Sequence, residues 1–187
     1  MQANRAGATA TVLGNNLILI AGGSTGTTAD LFDPAKVAFV AAGAMNAARI
    51  RHTATVLPNG KVLLVGGSST LVGAALGSAS LYDPVANTFA PSAGVLTTAR
   101  YTHVAMVFGG SVLIAGGNTG TVAAPTATAT VEVYDPVADA FGVTTFSGVL
   151  GLSQTRTQLF GTVLLTGGRV LIGGGTGAPT AADLIVP

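Results

Sequence analysis

The chain has no cysteine and no tryptophan, and only eight basic and seven acidic residues among its 187. Without cysteine, disulfides, thiolate chemistry and zinc–cysteine sites are excluded. Charged residues make up 8% of the chain, against about 25% in an ordinary soluble domain. The surface must therefore be covered largely by Thr, Ser, Gly and backbone, as tightly turned β proteins allow. The few charges are scattered singly and sum to +1. That leaves no basic stripe for nucleic acid and no acidic or polybasic tail. Aromatics amount to 5%, and no aromatic platform for a sugar stands out.

A long apolar run is also lacking. Mean hydropathy is high at +0.63, but a spanning helix needs about 20 apolar residues in succession. The richest stretch, 159–175, is broken by glycines and by Arg169. No membrane span is expected. The opening MQANRAGATA carries no apolar signal-peptide core. A single domain is the default for this length, long enough to bury a core.

What the chain does have is repetition. Apolar runs close on diglycines at Gly22–Gly23, Gly66–Gly67, Gly116–Gly117 and Gly174–Gly175, spaced 44, 50 and 58 residues apart. Asp-Pro follows at Asp33, Asp83 and Asp135, and Arg5, Arg49 and Arg100 each precede a strand-like segment. A worn fourth copy runs from 157 to 175, and the closing ADLIVP echoes the ADLFDP of 29–34, with Val186 in place of the aspartate. HTATVL and KVLLVGG, separated by Pro58-Asn59-Gly60, read as a hairpin. Its unbroken apolar second strand predicts burial on both faces. Phe32, Tyr82 and Tyr134 are placed to pack between repeats, and each Asp-Pro reads as a turn.

A repeat of about 50 residues made of four short strands is the period of a propeller blade. The apolar run ending in diglycine, the Tyr/Phe-Asp-Pro, the aromatic beyond it and the Arg-x-x-His opening resemble the bacterial kelch repeat family, whose blades also build the galactose oxidase propeller. The resemblance implies an all-β fold: a β-propeller of four-stranded kelch-type blades, about four in this chain. The last blade lacks its outer strand. Residues 1–187 then form one propeller or part-propeller, with blades at about 1–44, 45–95, 96–150 and 151–187. Gly22, Gly23, Gly66, Gly67, Gly116, Gly117, Asp33, Asp83 and Asp135 are its structural repeat motif. Three closures are open: a four-bladed ring, two chains completing one propeller, or a fragment of a longer protein. Apolar blade faces favour the latter two. Proteins of this type are often exported, which points to an extracellular or cell-surface location.

For chemistry, His52 and His103 are the only histidines and occupy equivalent positions three residues after Arg49 and Arg100. With Tyr101 they form the candidate binding set: Arg49, His52, Arg100, Tyr101 and His103. Repetition favours a scaffold role for the histidines over a ligand role. Asp30, Glu132, Asp139 and Asp183 stand isolated, with no carboxylate pair spaced for acid–base work. "GGSTGT" at 22–27 and "GGGTGA" at 173–178 resemble phosphate loops, but no GxxxxGK[ST] is present and neither opens a helix. The oxidase copper site of the resembling family does not transfer, since it needs a cysteine crosslink. No catalytic residue, metal or cofactor is expected.

The expected function is a non-catalytic protein-binding or self-assembly module, its partner a protein or a second copy of the chain. The alternatives are a structural subunit of an extracellular assembly, or the propeller part of an enzyme with its catalytic groups elsewhere. The segments 68–80 and 118–130, rich in Ala, Thr, Gly and Val, read as long loops sharing one face. Loops on one face are where repeat proteins place binding.

Overall fold

The computed structural model describes residues 4–23, 26–142, 151–157, 161–165, 169–176 and 182–185. These residues form four antiparallel sheets and no helix. The first sheet is a meander of β1 (Thr9–Val12), β2 (Ile18–Ala21), β3 (Ala29–Asp33) and β4 (Ala38–Ala41). The second repeats it with β5 (Thr53–Val56), β6 (Val62–Val65), β7 (Ala79–Asp83) and β8 (Thr88–Pro91). The third is built on β9 (Val104–Phe108), β10 (Ser111–Ala115), β12 (Pro125–Asp135) and β13 (Ala140–Gly142), with β11 (Asn118–Gly120) and β14 (Gly151–Arg156) added to β12. The fourth holds β15 (Gly161–Leu165), β16 (Arg169–Gly173) and β17 (Ala182–Ile185).

The sheets stack as the blades of a four-bladed β-propeller. Inner strand β1 packs on β5, β5 on β9, and β9 on β15, while no comparable contact joins β1 to β15 among the described residues. The core is therefore three apolar layers, one in each blade junction. Leu19, Ala21 and Leu31 of blade one meet Val62, Leu64 and Tyr82 of blade two. Leu63, Val65 and Ala79 then meet Val112, Ile114 and Tyr134. Leu113, Val131 and Val133 meet Val170, Ile172 and Ile185.

This layering corrects two expectations. Burial of the second strand on both faces holds for β6 and for Val112–Ala115 of β10. In the end blades burial alternates along β2 and β16, because each has a neighbour on one side. For the same reason Phe32 does not pack between blades as Tyr82 and Tyr134 do; it is half-exposed against Phe39, ring centroids 4.9 Å apart. The segment 118–130 is also less irregular than its composition suggests. Asn118–Gly120 pairs with Pro125–Ala127 as a hairpin, and β12 continues through the β-branched run Thr126, Thr128, Thr130 into the blade. Gly151–Arg156, at the start of the segment assigned to blade four, hydrogen-bonds to β12 of the third sheet.

The Asp-Pro turns form as their chemistry requires. Asp33 Oδ1 accepts the N–H groups of Ala35 and Lys36, Asp83 those of Val85 and Ala86, and Asp135 those of Val137 and Ala138. Each turn ends on a left-handed residue: Val37 at φ 51°, Asn87 at 54° and Asp139 at 49°. Tyr82 Oη donates to Asn87 Oδ1 and Tyr134 Oη to Asp139 Oδ1, each at 2.8 Å. In blade one Phe32 has no hydroxyl and Val37 no acceptor, so the tie is missing from both ends. A β-branched residue in the left-handed region is strained by roughly 1–2 kcal/mol, whereas Asn visits it readily. Val37, 78% exposed, has no burial to offset this. Val37→Asn is expected to raise stability by about 1 kcal/mol, read from the midpoint of chemical denaturation.

Candidate functional site

The polar residues singled out above converge on one recurring feature, the inner corner of each blade. Arg49 Nη1 donates to the carbonyls of Gly66 at 2.8 Å and Ser78 at 2.9 Å. Arg100 Nη1 does the same to Gly116 at 3.0 Å and Thr130 at 2.8 Å. Arg5 Nη1 reaches Gly22 O at 3.1 Å and Thr28 O at 2.7 Å. Each guanidinium thus clamps the end of the second strand to the start of the third. Arg156 is the fourth of the series: its Nη1 lies 3.5 Å from Ile172 O, and its Nη2 is 2.8 Å from Asp183 Oδ2. The repeat alignment beginning at 157 stops one residue short of it.

Three of these arginines pair with a carboxylate, fully buried in the first two and nearly so in the third. Arg5 Nε donates to Asp30 Oδ2 at 2.8 Å, Arg100 Nη2 to Glu132 Oε1 at 2.7 Å, and Arg156 pairs with Asp183. The acids that look isolated in sequence are therefore one repeat position, three residues before the Asp-Pro site. Glu132 also accepts the N–H groups of Thr97 and Thr98, as Asp183 accepts that of Ser153, fixing the approach to each arginine. Asp139 takes a different part, accepting from Tyr134 Oη, Ser92 Oγ and Ala93 N across the junction of blades two and three. Blade two departs from the rule. Ser80 stands where the acid belongs, and Arg49 Nη2 instead meets Ser78 Oγ, Ser80 Oγ and Asn46 Oδ1. Ser80 Oγ donates in turn to Asn46 Oδ1. With no carboxylate beside it, burial pushes the Arg49 guanidinium down to about 10. Burial also lowers Arg100, and Glu132 opposes it.

The diglycines follow from the same corner. The second glycine donates its N–H to the arginine carbonyl of the next blade: Gly23 to Arg49 at 3.0 Å, Gly67 to Arg100 at 2.8 Å, Gly117 to Arg156 at 2.8 Å. A Cβ on Gly66 would lie 2.5 Å from Arg100 O and 2.8 Å from His103 Cε1, and φ there is +64°. Only glycine combines that dihedral with that approach.

The histidines lie beneath these glycines. His52 Nε2 is 3.0 Å from Thr9 Oγ1 of blade one, and His103 Nε2 is 2.9 Å from Thr53 Oγ1 of blade two. Each ring is a latch to the preceding blade. Burial, reinforced by the arginine of the same corner, pushes both imidazoles down to about 3. Tyr101 is buried too, donating its hydroxyl to Thr121 O at 3.0 Å. Arg49, His52, Arg100, Tyr101 and His103 are thus all buried and all spent on contacts inside the fold. Among the described residues no three His, Asp or Glu side chains cluster as metal ligands. A shallow groove between blades one and two, lined by Gly14, Asn15, Gly60, Pro84 and Val85, presents no titratable side chain. No helix among the described residues is long and apolar enough to cross a membrane.

Four radially stacked antiparallel sheets, tied corner to corner, define a β-propeller. Residues 99–141, which hold the third blade, match the family model of the Kelch motif. The solved structure of YjhT superposes with a TM-score of 0.70 at 15% identity, covering 94% of this chain and 59% of that one. No curated protein matches the chain. The chain is a β-propeller whose third blade matches the Kelch motif, and it spans 59% of the length of that solved structure.

Two outcomes test the corner. Glu132→Gln, which leaves Arg100 buried beside a neutral group, is expected to cost about 3–5 kcal/mol in urea denaturation. Ser80→Asp, which supplies the carboxylate missing in blade two, is expected to raise the midpoint. The histidines set the acid limb of stability. Their folded values lie below the ordinary 6.5, so the unfolded chain binds the extra protons. Their contribution is complete above pH 6.5 and is lost as pH falls towards 3. Two such groups give a slope of about 2.7 kcal/mol per pH unit below 6.5. Denaturation midpoints between pH 7 and 4 check this, and His52→Asn with His103→Asn should flatten the slope.

Proposed function

We propose that the chain is a non-catalytic protein-binding module that presents its partner with the loop face of blades two and three. The observation that carries this reading is that the side chains chemistry would call on are bonded inside the blade corners. The two long insertions at the loop end, 68–80 and 118–130, carry no charged residue, and the first exposes Leu71 and Val72. The fold supports it in general terms, since kelch propellers serve protein interaction.

The loop face is preorganised. Ala74 bridges to Thr121, Ala75 N donates to Gly120 O at 2.8 Å, and Val122 N donates to Gly73 O at 3.0 Å. The Tyr101 hydroxyl pins the same strand from below. The two insertions thus form one platform, whose tip exposes Leu71 and Val72. Ordered backbone loses little entropy on binding, and exposed aliphatic side chains supply the apolar area a protein contact uses.

Leu71→Asp with Val72→Asp should leave thermal stability unchanged and abolish partner capture. The check is side-by-side affinity capture from the source cells with wild type and variant. Proteins retained by wild type and lost by the variant are expected. Identical capture by both would sink the reading.

A further inference from the structure

The three internal junctions pair two distinct kinds of blade face. A trailing face, such as Leu19 and Leu31, always receives the leading face of the next blade, such as Val62, Leu64 and Tyr82. Two faces are left over. At one end, Ile18, Ile20 and Phe32 stand in the register positions of Val62, Leu64 and Tyr82, yet they are half-exposed, and Phe39 beside them is 41% exposed. At the other end Leu171 and Leu184 stand in the positions of Leu19 and Leu31. They are 37% and 41% exposed, where their counterparts are 1% and 5%. Gly174 confirms the vacancy. Among the described residues a Cβ there would meet nothing within 4 Å, whereas on Gly66 it would strike the next blade's arginine carbonyl.

We propose that these two faces are the halves of one junction between copies of the chain: the leading face of blade one seats on the trailing face of blade four of a second copy. The leading face of blade one shows which seat it fits. It has Ala8 where blades two and three have His52 and His103, Phe32 where they have tyrosine, and Val37 where they have Asn87 and Asp139. It therefore lacks the polar side-chain ties with which those blades hold their predecessor.

The junction of blades three and four is of the same apolar kind. Ile185 replaces the tyrosine, and Val104 replaces the threonine that receives a histidine. A purely apolar leading face docking on a leucine-bearing trailing face is thus a contact the chain already makes. The one buried acid on the open leading face, Asp30, is neutralised by Arg5. Among the described residues the open trailing face carries one exposed cation, Arg169, at the turn end of β16. Neither face bears an uncompensated buried charge that would oppose docking. The contact is heterologous, so it closes two copies into a ring or extends them into a chain.

Light scattering on the full chain, over a concentration series, tests this with Phe39→Arg and Leu171→Arg. Wild type is expected to show the mass of a dimer or larger. Each variant alone should be monomeric, with an unchanged far-UV circular dichroism spectrum. An equimolar mixture of the two should form a 1:1 pair through the one junction left intact and grow no further. Leu184→Arg serves if Leu171→Arg fails to fold. A wild type that stays monomeric throughout overturns the proposal. So does a variant that self-associates like wild type, or a mixture that forms no pair. The loop variant of the preceding section should retain the wild-type mass, which keeps the two readings separately testable.

Discussion

Everything in this propeller hangs on one buried guanidinium per blade. The side chain of Arg5, Arg49 or Arg100 reaches the first diglycine carbonyl at the end of its own second strand, and that of Arg156 reaches Ile172 O within the corresponding strand. For Arg49, Arg100 and Arg156, the backbone carbonyl accepts the N–H of the preceding blade's diglycine. One residue therefore fixes both the corner within a blade and the distance to its neighbour. The conformations around it follow. The diglycine must be glycine because the carbonyl and the histidine ring occupy the space of a Cβ. The residue two beyond the arginine must turn left-handed, as Gly7, Arg51 and Thr102 do. Those turns stack, with Arg51 N donating to Gly7 O and Thr102 N to Arg51 O.

Placing that charge in the interior is costly unless the charge is paired and its donors are satisfied. The carboxylates of Asp30, Glu132 and Asp183 meet that demand, and the backbone amides of Thr97, Thr98 and Ser153 extend the network to the incoming chain. Blade two shows that pairing can be replaced by neutral oxygens. Two carbonyls, two hydroxyls and an amide surround Arg49, whose charge is correspondingly less favoured. The corner is a geometric necessity; the acid is the usual way of making it stable.

The backbone plan was legible in the sequence and the polar network was not. Pro58-Asn59-Gly60 turns as its composition demands, with Gly60 at φ +81° and Asn59 Oδ1 accepting Lys61 N. The Asp-Pro turns follow equally directly, because a short-range rule decides them. The acid partners escaped because one structural position is filled in turn by Asp, Ser, Glu and Asp. No single residue type holds the position throughout, and only the register to the Asp-Pro site reveals it. Arg156 escaped because its copy lacks both the histidine of the second and third repeats and the aromatic-Asp-Pro of the first three. The pleating of 118–130 was hidden by Ala and Thr, whose strand preference emerges only when a neighbouring strand pairs with them. The difference between end and middle blades lies in no local pattern, since ILIA and VLLV are equally apolar.

The junctions also grade along the chain, and the grading has a physical consequence. Blades one and two, and blades two and three, are held by a histidine–threonine bond and by Asn87 or Asp139 reaching back to Ala41, or to Ser92 and Ala93. Hydrogen bonds of this kind fix register, because a blade displaced by one residue would strand buried donors. The junction of blades three and four relies on aliphatic packing around Val104, Phe108, Val170 and Ile172, with backbone links from Gly117 to Arg156 and between β14 and β12 but no histidine latch among the described residues. Apolar layers tolerate rearrangement far better than paired polar groups do. The first two junctions therefore specify a unique stacking, while the third supplies adhesion with less geometric demand. In a repeat array stability is a sum over such interfaces, so each junction contributes separately. The trailing leucines of blade four, open to solvent, gain most from any surface that covers them.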